Sequence, residues 1–534
     1  MRAFSDLINR LIYTRSRNAK LKLIGDYLKA TPDPDRGWAM SALTGELDLR
    51  AVKPAQIRVM IEDRVDPVLF RMSRDYVGDT AETVALLWSC EHSGGDAASG
   101  VSLRLSEVVE QLATLARADT PRVLAAMLDT LDANGRYALL KLATGGMRIG
   151  VSARLAKTAM AQAFGLDVDE VEELWHGIAP PYQGLFDWAE GRTPAPKVTD
   201  LPIFRPFMLA HPLDDTRVDL SDYVAEWKWD GIRVQIVNAG GETRLFSRGG
   251  EEISGGFPEI AQAFDRPGVV DGELLVRGQI QGGAEGGAAS FNALQQRLGR
   301  KTVSKPMLAE HPAFVRLYDI LLDGVQDVRS LTWTERRERL EAFVRDLPSD
   351  RFDLSQVVEA ADFDALAEIR AGARDAAIEG LMLKARSSPY VGGRRVGLWN
   401  KWKRDPLTAD CVMMYAQRGS GKRSSFYSDY TFGCWTADPR EGGELAPVGK
   451  AYSGFTDDEL KWLDHFVRTK TVQRFGPVRE VEKSLVVEVA FDSIHESKRH
   501  KSGIAMRFPR IARIRRDKPA NEADLVATLR NMIA

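Results

Sequence analysis

Residues 226–237 read EWKWDGIRVQIV, and this stretch determines how the middle of the chain is interpreted. Successive side chains of a β-strand point to opposite faces, so a strand here would place Glu226, Lys228 and Asp230 on one face. The two tryptophans between them would then point into the core from the other face. An ordinary half-exposed strand with a salt-bridged lysine has the same pattern, so the neighbouring residues must decide what Lys228 does.

A turn at Gly231 would return Arg233 close to Lys228, and this bears on the reactivity of the lysine. A lysine amine attacks an electrophile only when it is neutral, and the ordinary lysine pKa of about 10.4 leaves almost none of it neutral at pH 7. Apolar neighbours and nearby cations both disfavour the charged form. The flanking tryptophans and Arg233 would supply these two conditions, so the stretch predicts a nucleophilic Lys228.

Length, charge and cysteine content limit the class of protein. At 534 residues the chain exceeds the size at which one hydrophobic core keeps growing, so more than one domain is expected. The net charge of −2 argues against a uniformly basic surface but allows basic patches. The sequence has no apolar run long enough to cross a bilayer. Its three cysteines are far apart and lack Cys-x-x-Cys spacing, which argues against a disulfide framework or zinc module and favours a reducing cytoplasm.

The basic, amphipathic N-terminus is compatible with a transit peptide or with a first structural helix. Leu7, Leu11, Ile24 and Leu28 recur at helical intervals, and the pattern continues into the following sequence. We therefore favour a structural helix.

The chain divides into three regions that differ in their pattern of apolar residues. Residues 1–195 repeat apolar residues at three- and four-residue steps, which predicts helices, one of them stopping at Gly145-Gly146. Proline-rich residues 191–202 form the predicted linker. Residues 196–405 mix short β-branched runs with helices, and residues 406–534 are rich in strands. The predicted fold class is multidomain, with an all-α domain, an α+β domain and a small β-barrel.

Six further motifs follow Lys228-Trp229-Asp230-Gly231-Ile232-Arg233 in order along the chain. They are Ser247-Arg248-Gly249-Gly250, Asp271-Gly272-Glu273-Leu274, Leu317-Tyr318-Asp319-Ile320-Leu321-Leu322, Glu379-Gly380-Leu381-Met382-Leu383-Lys384, Lys401-Trp402-Lys403 and Arg507-Phe508-Pro509-Arg510. In this order the set resembles the covalent nucleotidyltransferases, which include ATP-dependent DNA ligases, RNA ligases and mRNA capping enzymes. In that superfamily the lysine attacks the α-phosphate of a nucleotide and holds the nucleotide as a phosphoramidate.

The resemblance implies a role for each matching side chain. Lys228 would be the nucleophile, while Glu226 would contact the edge of adenine and Tyr318 its face. The other side chains implied to bind the nucleotide are Arg233, Arg248, Glu273, Lys401, Lys403, Arg507 and Arg510. Because Lys401 and Lys403 are two residues apart, a strand would direct both to one phosphate. The last two arginines would act on the leaving pyrophosphate.

Glu273 and Glu379 are the predicted metal ligands. Phosphoryl-type transfer depends on positioning and charge neutralisation, which explains many cations around two acids. Two carboxylates suit Mg²⁺, with Mn²⁺ as an alternative, because this ion keeps water and substrate phosphate as its other ligands. On a regular strand Lys384 would point away from Glu379, so its role is left open.

Two features outside residues 226–403 favour a DNA ligase. Residues 499–518 carry eight lysines and arginines against one acid; a solvated charged face often has such a run. Its R-F-P-R-I-x-R-I-R-R-D-K pattern nevertheless resembles DNA ligases of the eukaryotic and archaeal type. Residues 16–20 and 142–151 resemble parts of the helical DNA-binding domain of those ligases, and residues 205–210 and 291–297 are similar to bacterial members. The chain is thus identified as a bacterial member of the ATP-dependent DNA ligases.

Membership implies a DNA-binding domain in residues 1–195, an adenylation domain in 196–405 and an OB-fold in 406–534. NAD-dependent ligases add a nicotinamide-binding domain and a four-cysteine zinc site, and the sequence carries neither, so the predicted cofactor is ATP. The predicted partner is nicked double-stranded DNA. A cytoplasmic monomer acting in DNA repair, replication or recombination is expected.

Two other functions remain open at this point. An RNA ligase or a capping-type guanylyltransferase shares the lysine motif, and the choice between ATP and GTP would separate the latter. A DNA-binding scaffold without catalysis would keep the helical region, but Lys228, both glutamates and the paired lysines argue against it. The glycine-rich residues 281–288 are compatible with a surface loop that has no role in the site.

Overall fold

The computed structural model of the chain comprises two compact units, Met1–Ala159 with Pro406–Ala534, and Met160–Asp405. The residues that the structure describes are 1–47, 49, 52–88, 103–116, 118–145, 147, 149–198, 201–213, 217–279, 285–288, 294, 296–298, 300, 302–373, 378–419, 426–497 and 500–533. The division into three domains at residues 195 and 405 stays a prediction.

The first 190 residues are helical wherever the chain forms regular structure among the described residues. The helices are Arg2–Tyr13, Arg17–Ala30, Asp35–Thr44, Pro54–Glu62, Pro67–Val77, Thr80–Leu87, Leu105–Thr114, Thr120–Asp129, Ala133–Thr144, Ala153–Phe164, Val168–Trp175 and Gln183–Ala189. The first helix buries Ile8 and Leu11 completely and the second buries Ile24 and Leu28, which confirms the helical reading of the N-terminus. None of the described helices combines the length and apolar character needed to cross a bilayer.

Helix ends in this region follow the local sequence. The carboxylates of Asp66 and Asp79 accept hydrogen bonds from backbone N–H groups in the first turns of the helices that follow them. The helix Ala133–Thr144 ends where Gly145 adopts a φ of 68°, a left-handed conformation that favours glycine. The predicted stop at Gly145 is confirmed, and Gly146 lies outside the described residues.

Two β-sheets carry the middle of the chain. The larger has the order Phe352–Leu354, Ala313–Asp323, Gly268–Gln279, Ile232–Ala239, Glu242–Ser247. The smaller has the order Val357–Val358, Tyr223–Trp229, Ile378–Ala385, Trp399–Lys403, His211–Pro212. The other described elements are strands Met208–Leu209, Glu285–Ala288, Gln326–Asp327 and Gly393–Arg394 and helices Pro258–Ala263, Lys305–Glu310, Trp333–Val344 and Phe363–Gly372. Helices and mixed sheets together match the predicted α+β texture.

Gly231 determines how the two sheets meet. The strand Tyr223–Trp229 belongs to the smaller sheet and the next strand, Ile232–Ala239, to the larger. A side chain at Gly231 would overlap the Leu274 carbonyl oxygen, so the close approach of the backbones requires glycine. Lys228 therefore lies beside the point where the chain passes from one sheet to the other.

The described strands after Pro406 form a seven-stranded open sheet and a separate two-stranded hairpin. They are Leu407–Arg418, Tyr427–Trp435, Leu445–Ala451, Thr471–Phe475, Val478–Val481, Val486–Phe491, Ser493–Glu496, Ile504–Arg507 and Arg510–Arg515, with helices Asp457–Thr469 and Val526–Arg530. Leu407–Arg418 pairs Val486–Phe491 along its first half and Val478–Val481 along its second half. This shared strand gives the sheet two branches.

The predicted β-barrel is not shown by these pairings. Closure would require a ladder between the outer strands Arg510–Arg515 and Leu445–Ala451, and the described residues form none. One backbone hydrogen bond, from Ile511 to the Ser453 carbonyl at 3.1 Å, bridges the two edges. The strands Ser493–Glu496 and Ile504–Arg507 pair with each other as a separate hairpin, so their backbone groups do not extend the main sheet.

Two cysteines that are distant in sequence are neighbours in this sheet. Cys411 and Cys434 are buried and free, with their sulfur atoms 3.4 Å apart. The pair is the result of antiparallel strand pairing, which sequence spacing did not indicate. Cys90 lies outside the described residues.

Candidate active site

Four of the predicted side chains share one face of the smaller sheet. Lys228 is in register with Gly380, which is in register with Lys403 on the next strand. Glu226 and Lys401 lie two positions away along the same rows. Because alternate residues of a strand share a face, the sheet presents one glutamate and three lysines together, as predicted.

The two tryptophans lie on the opposite face and are half-buried. Trp227 packs against the apolar cluster that contains Leu381. Trp229 donates a hydrogen bond from its indole nitrogen to Ser355 Oγ (3.4 Å), and the Arg316 guanidinium lies 4.1 Å from the ring centroid. The alternation proposed for residues 226–229 is therefore confirmed.

Glu379 makes direct contact with two of the lysines. Its Oε2 atom lies 2.6 Å from Lys228 Nζ and 3.2 Å from Lys403 Nζ. Burial alone would raise the pKa of Glu379, but the two ammonium groups lower it to about 2. An anion in contact stabilises an ammonium group. The sequence argument, which placed only apolar and cationic groups around Lys228, therefore lacked this contact.

A bulge explains why Glu379 reaches this face. The register shifts between Ile378 and Gly380, so the strand does not alternate regularly at Glu379. Gly380 has a φ of 147°, and a side chain there would collide with the Trp402 carbonyl oxygen. The expectation that Lys384 points away from Glu379 assumed a regular strand and is wrong, because both side chains reach the face that carries Lys228.

Glu273 is the second predicted metal ligand, and it belongs to the larger sheet. Its Oε1 atom accepts a hydrogen bond from the Gly231 N–H group (3.1 Å). Burial raises its pKa to about 8, and the charge of Glu379 adds to this, while Lys228 and Arg233 act in the opposite direction. The charges of Lys228 and Arg233 therefore offset only part of the cost of burying this carboxyl group.

The two glutamates fit a hard divalent cation. The described residues contain no group of three or more His, Cys, Asp or Glu side chains placed to hold a metal. Two carboxylates are the usual protein contribution to a Mg²⁺ site whose remaining ligands are water and substrate phosphate. A cation at Glu273 and Glu379 would also offset the remaining cost of burying Glu273. The donor chemistry therefore supports the predicted pair of ligands.

Arg233 is mostly buried, and its guanidinium donates hydrogen bonds to other groups of the protein. Its guanidinium donates to both carboxylate oxygens of Asp271 (2.5 and 3.2 Å) and to the Met208 carbonyl (2.7 Å). Burial alone would lower the pKa of Arg233, but Asp271 raises it well above the ordinary value. Tyr390 donates from its hydroxyl to the same carboxylate (2.7 Å). Arg233 thus supports the site from within the protein.

Asp271 and Tyr390 are residues of this site that the sequence reasoning did not assign. Asp271 lies within one of the motifs, but the resemblance implied no role for it. An acid in the apolar run GVVDGELLV requires a partner if it is buried, and this was the available signal. Nothing local indicated Tyr390, which lies 119 residues away from that acid.

Lys401 marks a cluster of cations. Burial lowers the pKa of Lys401, and the charges of Arg394, Lys403, Lys228 and Arg248 lower it further. Arg248 is exposed in the turn after Ser247. Converging cations with one bridging carboxylate form a site suited to a polyphosphate.

Tyr318 lies beside a buried ion pair. Lys384 Nζ is 3.1 Å from Glu226 Oε1 and 3.3 Å from the Tyr318 carbonyl oxygen. The same ammonium group lies 4.7 Å from the centroid of the Tyr318 ring and 4.6 Å from that of Trp399. Burial raises the pKa of Tyr318 well above its ordinary value. These contacts bring the two predicted base-binding residues together through a lysine.

Arg507 and Arg510 belong to the compact unit that does not contain Lys228. Arg507 ends one strand of the hairpin, and Arg510 begins the following strand and lies 3.4 Å from Asp492. Phe508 between them has a φ of 52° and is 62% exposed. A positive φ at an exposed aromatic residue is uncommon and points to a constrained turn.

The structure joins the two N-terminal segments that resemble a DNA-binding domain. Lys20 Nζ donates to the carbonyl oxygens of Gly150 (2.6 Å) and Ile149 (3.3 Å), so residues 16–20 contact the end of residues 142–151. Gly146 and Arg148 of this segment lie outside the described residues, as do residues 281–284 and most of residues 291–297.

Comparisons with known proteins show the family of the chain. The model described as "ATP dependent DNA ligase domain" matches residues 207–403, and "ATP dependent DNA ligase C terminal region" matches residues 423–518. A probable DNA ligase of Koribacter versatilis is 30% identical over 98% of this chain and 95% of its own length. DNA ligase 1 of Korarchaeum cryptofilum is 30% identical over 100% of this chain and 98% of its own.

One solved structure shares the fold over nearly the whole length. Pmar-Lig_Pre has a TM-score of 0.59 and 16% identity, with 96% of this chain and 99% of that chain covered. Shared architecture at this low identity extends through the helical, mixed and strand-rich regions.

Proposed function

The chain belongs to the family of ATP-dependent DNA ligases, and we propose that it seals nicks through adenylate carried on Lys228. ATP-dependent sealing of DNA nicks is the activity of this family. The observation that supports the assignment of the nucleophile is the row formed by Lys228, Glu379 and Lys403, with Lys401 beside it. It places one amine among charges suited to a nucleotide phosphate.

In the first step the neutral amine of Lys228 attacks the α-phosphorus of ATP. A nitrogen–phosphorus bond forms, the bond to the β-phosphate oxygen breaks, and pyrophosphate leaves with the electron pair. Lys401 and Lys403 neutralise charge on the phosphate, a role that requires no movement during the reaction. A Mg²⁺ ion held by Glu273 and Glu379 would supply further neutralisation when bound.

The pairing of Lys228 with Glu379 sets a condition for this step. The ammonium group must lose its proton and release the carboxylate before its lone pair can attack. Binding of the nucleotide brings its negatively charged phosphates to Lys403 and Lys401. The phosphates then compete with Glu379 for Lys403. We therefore propose that the Lys228–Glu379 contact describes the enzyme before ATP binds.

The remaining steps transfer adenylate to DNA. The 5′-phosphate at the nick attacks the phosphorus of lysyl-AMP, so the nitrogen–phosphorus bond breaks and a pyrophosphate link forms. The 3′-hydroxyl then attacks the DNA phosphorus, the new phosphodiester bond forms, and AMP leaves. Lys228 regains its amine, which completes the cycle.

We propose the finer assignments on the same basis. Residues 1–195 would bind duplex DNA, residues 196–405 would carry adenylate and residues 406–534 would form the OB-fold that brings Arg507 and Arg510 to the pyrophosphate. The helical first region and the branched sheet of the last support this division. A cytoplasmic monomer that uses Mg²⁺ in repair, replication or recombination is part of the proposal.

The proposal is tested by following label from ATP to protein and DNA. With ATP labelled at the α-phosphate, the wild-type protein should acquire label and, after addition of a nicked duplex, join the strands. Lys228→Ala should acquire none while still binding the duplex. Lys461→Ala, which removes an exposed lysine, is the matched control and should behave as wild type. Labelling by GTP with no labelling by ATP would instead indicate a capping-type enzyme.

A further inference from the structure

Two stacked aromatic rings lie on the face of the smaller sheet opposite Lys228. Trp402 points to this face, and its ring stacks on that of Phe363, with the ring centroids 4.6 Å and the ring planes 15° apart. The Arg370 guanidinium lies 4.6 Å from the Trp402 ring centroid. The Arg217 guanidinium lies 5.8 Å from the Phe363 ring centroid. Each ring of the stacked pair therefore contacts an arginine.

Arg370 also binds the backbone of the strand that carries Lys403. Its Nη1 atom donates a hydrogen bond to the Lys403 carbonyl oxygen (2.5 Å). The Lys401 carbonyl, two residues earlier, accepts from the Leu213 N–H group (2.8 Å), next to the short paired strand His211–Pro212. Because a strand repeats every two residues, both carbonyls face the same edge. Arg370 thus takes the place of a strand partner where the neighbouring strand has ended.

The other polar contacts of Arg370 do not explain its position. Its side chain is only 12% exposed, and its Nε atom is buried without a hydrogen-bond partner among the described residues. A buried donor without a partner is unfavourable. Its Nη2 atom lies 3.6 Å from Asp405 Oδ2, but the Asp405 side chain is 90% exposed, and ion pairs at such sites contribute little. The hydrogen bond to Lys403 is therefore its main polar contact.

Resting on the proposed function, we propose that Arg370 is a positioning residue for adenylation. Lys403 is the last residue of its strand, and the ends of strands are held less firmly than their centres. By binding the Lys403 carbonyl and packing on the Trp402 ring, Arg370 fixes the backbone at that end. It thereby fixes the direction in which the Lys403 ammonium group extends toward Glu379 and the nucleotide phosphate. The effect of Arg370 on the reaction passes through Lys403.

A second arginine attaches the same helix, Phe363–Gly372, to the end of this strand. The Arg404 N–H group donates to the Glu379 carbonyl (3.0 Å), and the Arg404 guanidinium donates to the Ala373 carbonyl (2.6 Å) just after the helix. This attachment stays in place when Arg370 is changed. We therefore expect a variant at position 370 to fold, with the loss confined to the position of Lys403.

The test is a double-mutant cycle on the single-turnover rate constant of labelling by ATP in the full-length protein. This rate constant does not depend on the fraction of protein that is correctly folded. Arg370→Met should lower it about tenfold, the loss expected for one hydrogen bond from a charged donor. In a protein that already carries Lys403→Ala, adding Arg370→Met should change it by less than about twofold, because the side chain that Arg370 positions is gone.

Two further variants sharpen the cycle. Arg217→Met is the control, because it removes the cation beside the other ring and leaves the Lys403 carbonyl bonded to Arg370. Arg217 is 68% exposed and pairs with Asp364, and its loss should leave the rate constant unchanged. Arg370→Lys keeps a cation for the Trp402 ring. It should give a smaller loss than Arg370→Met, and that loss should again disappear in the Lys403→Ala background.

The outcomes separate the two proposals. If ATP labels the wild-type protein and Arg370→Met lowers the rate constant by the same factor with and without Lys403, the role of Arg370 is purely structural and the positioning proposal is wrong. It is also wrong if Arg370→Met labels at the wild-type rate. In both cases the proposed function stands. If ATP does not label the wild-type protein at all, the proposed function is wrong and the positioning role falls with it.

Discussion

Two ion pairs in the unit Met160–Asp405 differ in what surrounds them. Arg336 and Asp319 are almost completely buried, at 0% and 1% exposure of their side chains. Lys228 and Glu379 are 23% and 22% exposed and stand next to other charged groups. The first pair is closed to any ligand and the second is open to one. Sequence motifs contain members of both, so a motif by itself does not separate structural from chemical roles.

The hydrogen bonds show the same contrast. Arg336 donates to both oxygens of Asp319 (2.7 and 3.1 Å) and to the carbonyls of Leu331 (2.6 Å) and Ser388 (2.8 Å). Glu379 instead holds two cations at one oxygen, and Glu273 takes up a proton. A fully satisfied pair stabilises the fold, whereas an unevenly compensated group of charges can exchange protein partners for a substrate.

The largest expected effect is at the closed pair. Arg336→Met would leave the buried Asp319 carboxylate without its cation, and we expect a loss of about 3–5 kcal/mol in the free energy of unfolding. Urea denaturation measures this value. The double variant Arg336→Met/Asp319→Asn should recover a large part of the loss. If Arg336→Met were as stable as the wild-type protein, the Arg336–Asp319 pair would not be the stabilising pair of the comparison.

At the open pair the loss should be in activity. Glu379→Gln removes the anion between Lys228 and Lys403 and one predicted metal ligand, so the rate of adenylation should fall about 100- to 1000-fold. Its unfolding free energy should change by less than about 1 kcal/mol, because the lysines remain partly solvated. Single-turnover labelling and urea denaturation together check both values. A large loss of stability with normal labelling would show that the Lys228–Glu379 pair has a structural role and no chemical one.

Gly380 affects both the stability of the fold and the site, because the bulge that it permits brings the side chain of Glu379 to Lys228. Gly380→Ala should cost about 2 kcal/mol of stability, because a Cβ atom would collide with the Trp402 carbonyl, and should also slow adenylation. Gly397→Ala is the matched control, with a φ of 79° and open space around it. It should leave adenylation unchanged. Equal labelling rates in the two variants would contradict a role for the bulge.

The smallest effect is expected at a third, half-exposed pair. Burial alone would raise the pKa of Asp327, but hydrogen bonds from Arg329 lower it below the ordinary value. The unfolded chain then binds more protons near pH 4, so this contribution to stability is present above about pH 4 and lost as the pH falls further. Asp327→Asn should cost less than about 0.5 kcal/mol at pH 7 and less at pH 3 than at pH 7. Denaturation curves at both values test this sign.

The sequence predicted the reactive face because it depends on short-range order. Lys228, Lys401 and Lys403 lie in strands whose alternation is local, and the order of the motifs along the chain identified the family. Strand alternation also placed the tryptophans correctly. These features need no knowledge of which strands become neighbours.

Features that depend on long-range pairing were missed or wrong. The contact of Lys228 with Glu379 requires a bulge at Gly380, which arises from the register with the strand that carries Lys228, far earlier in the chain. Lys384 was assigned to the wrong face for the same reason. The barrel was inferred from strand content and from the family resemblance, and it stays a prediction, because closure depends on which outer strands pair.

The most direct test of the account is the position of adenylate on the protein. The wild-type protein is incubated with ATP and Mg²⁺ in the absence of DNA, digested, and its peptides are analysed by mass spectrometry. We expect an adenylyl group on the peptide that contains Lys228, removed when a nicked duplex is added. Adenylate on a different lysine, or strand joining by a protein that never carries it at Lys228, would contradict the account.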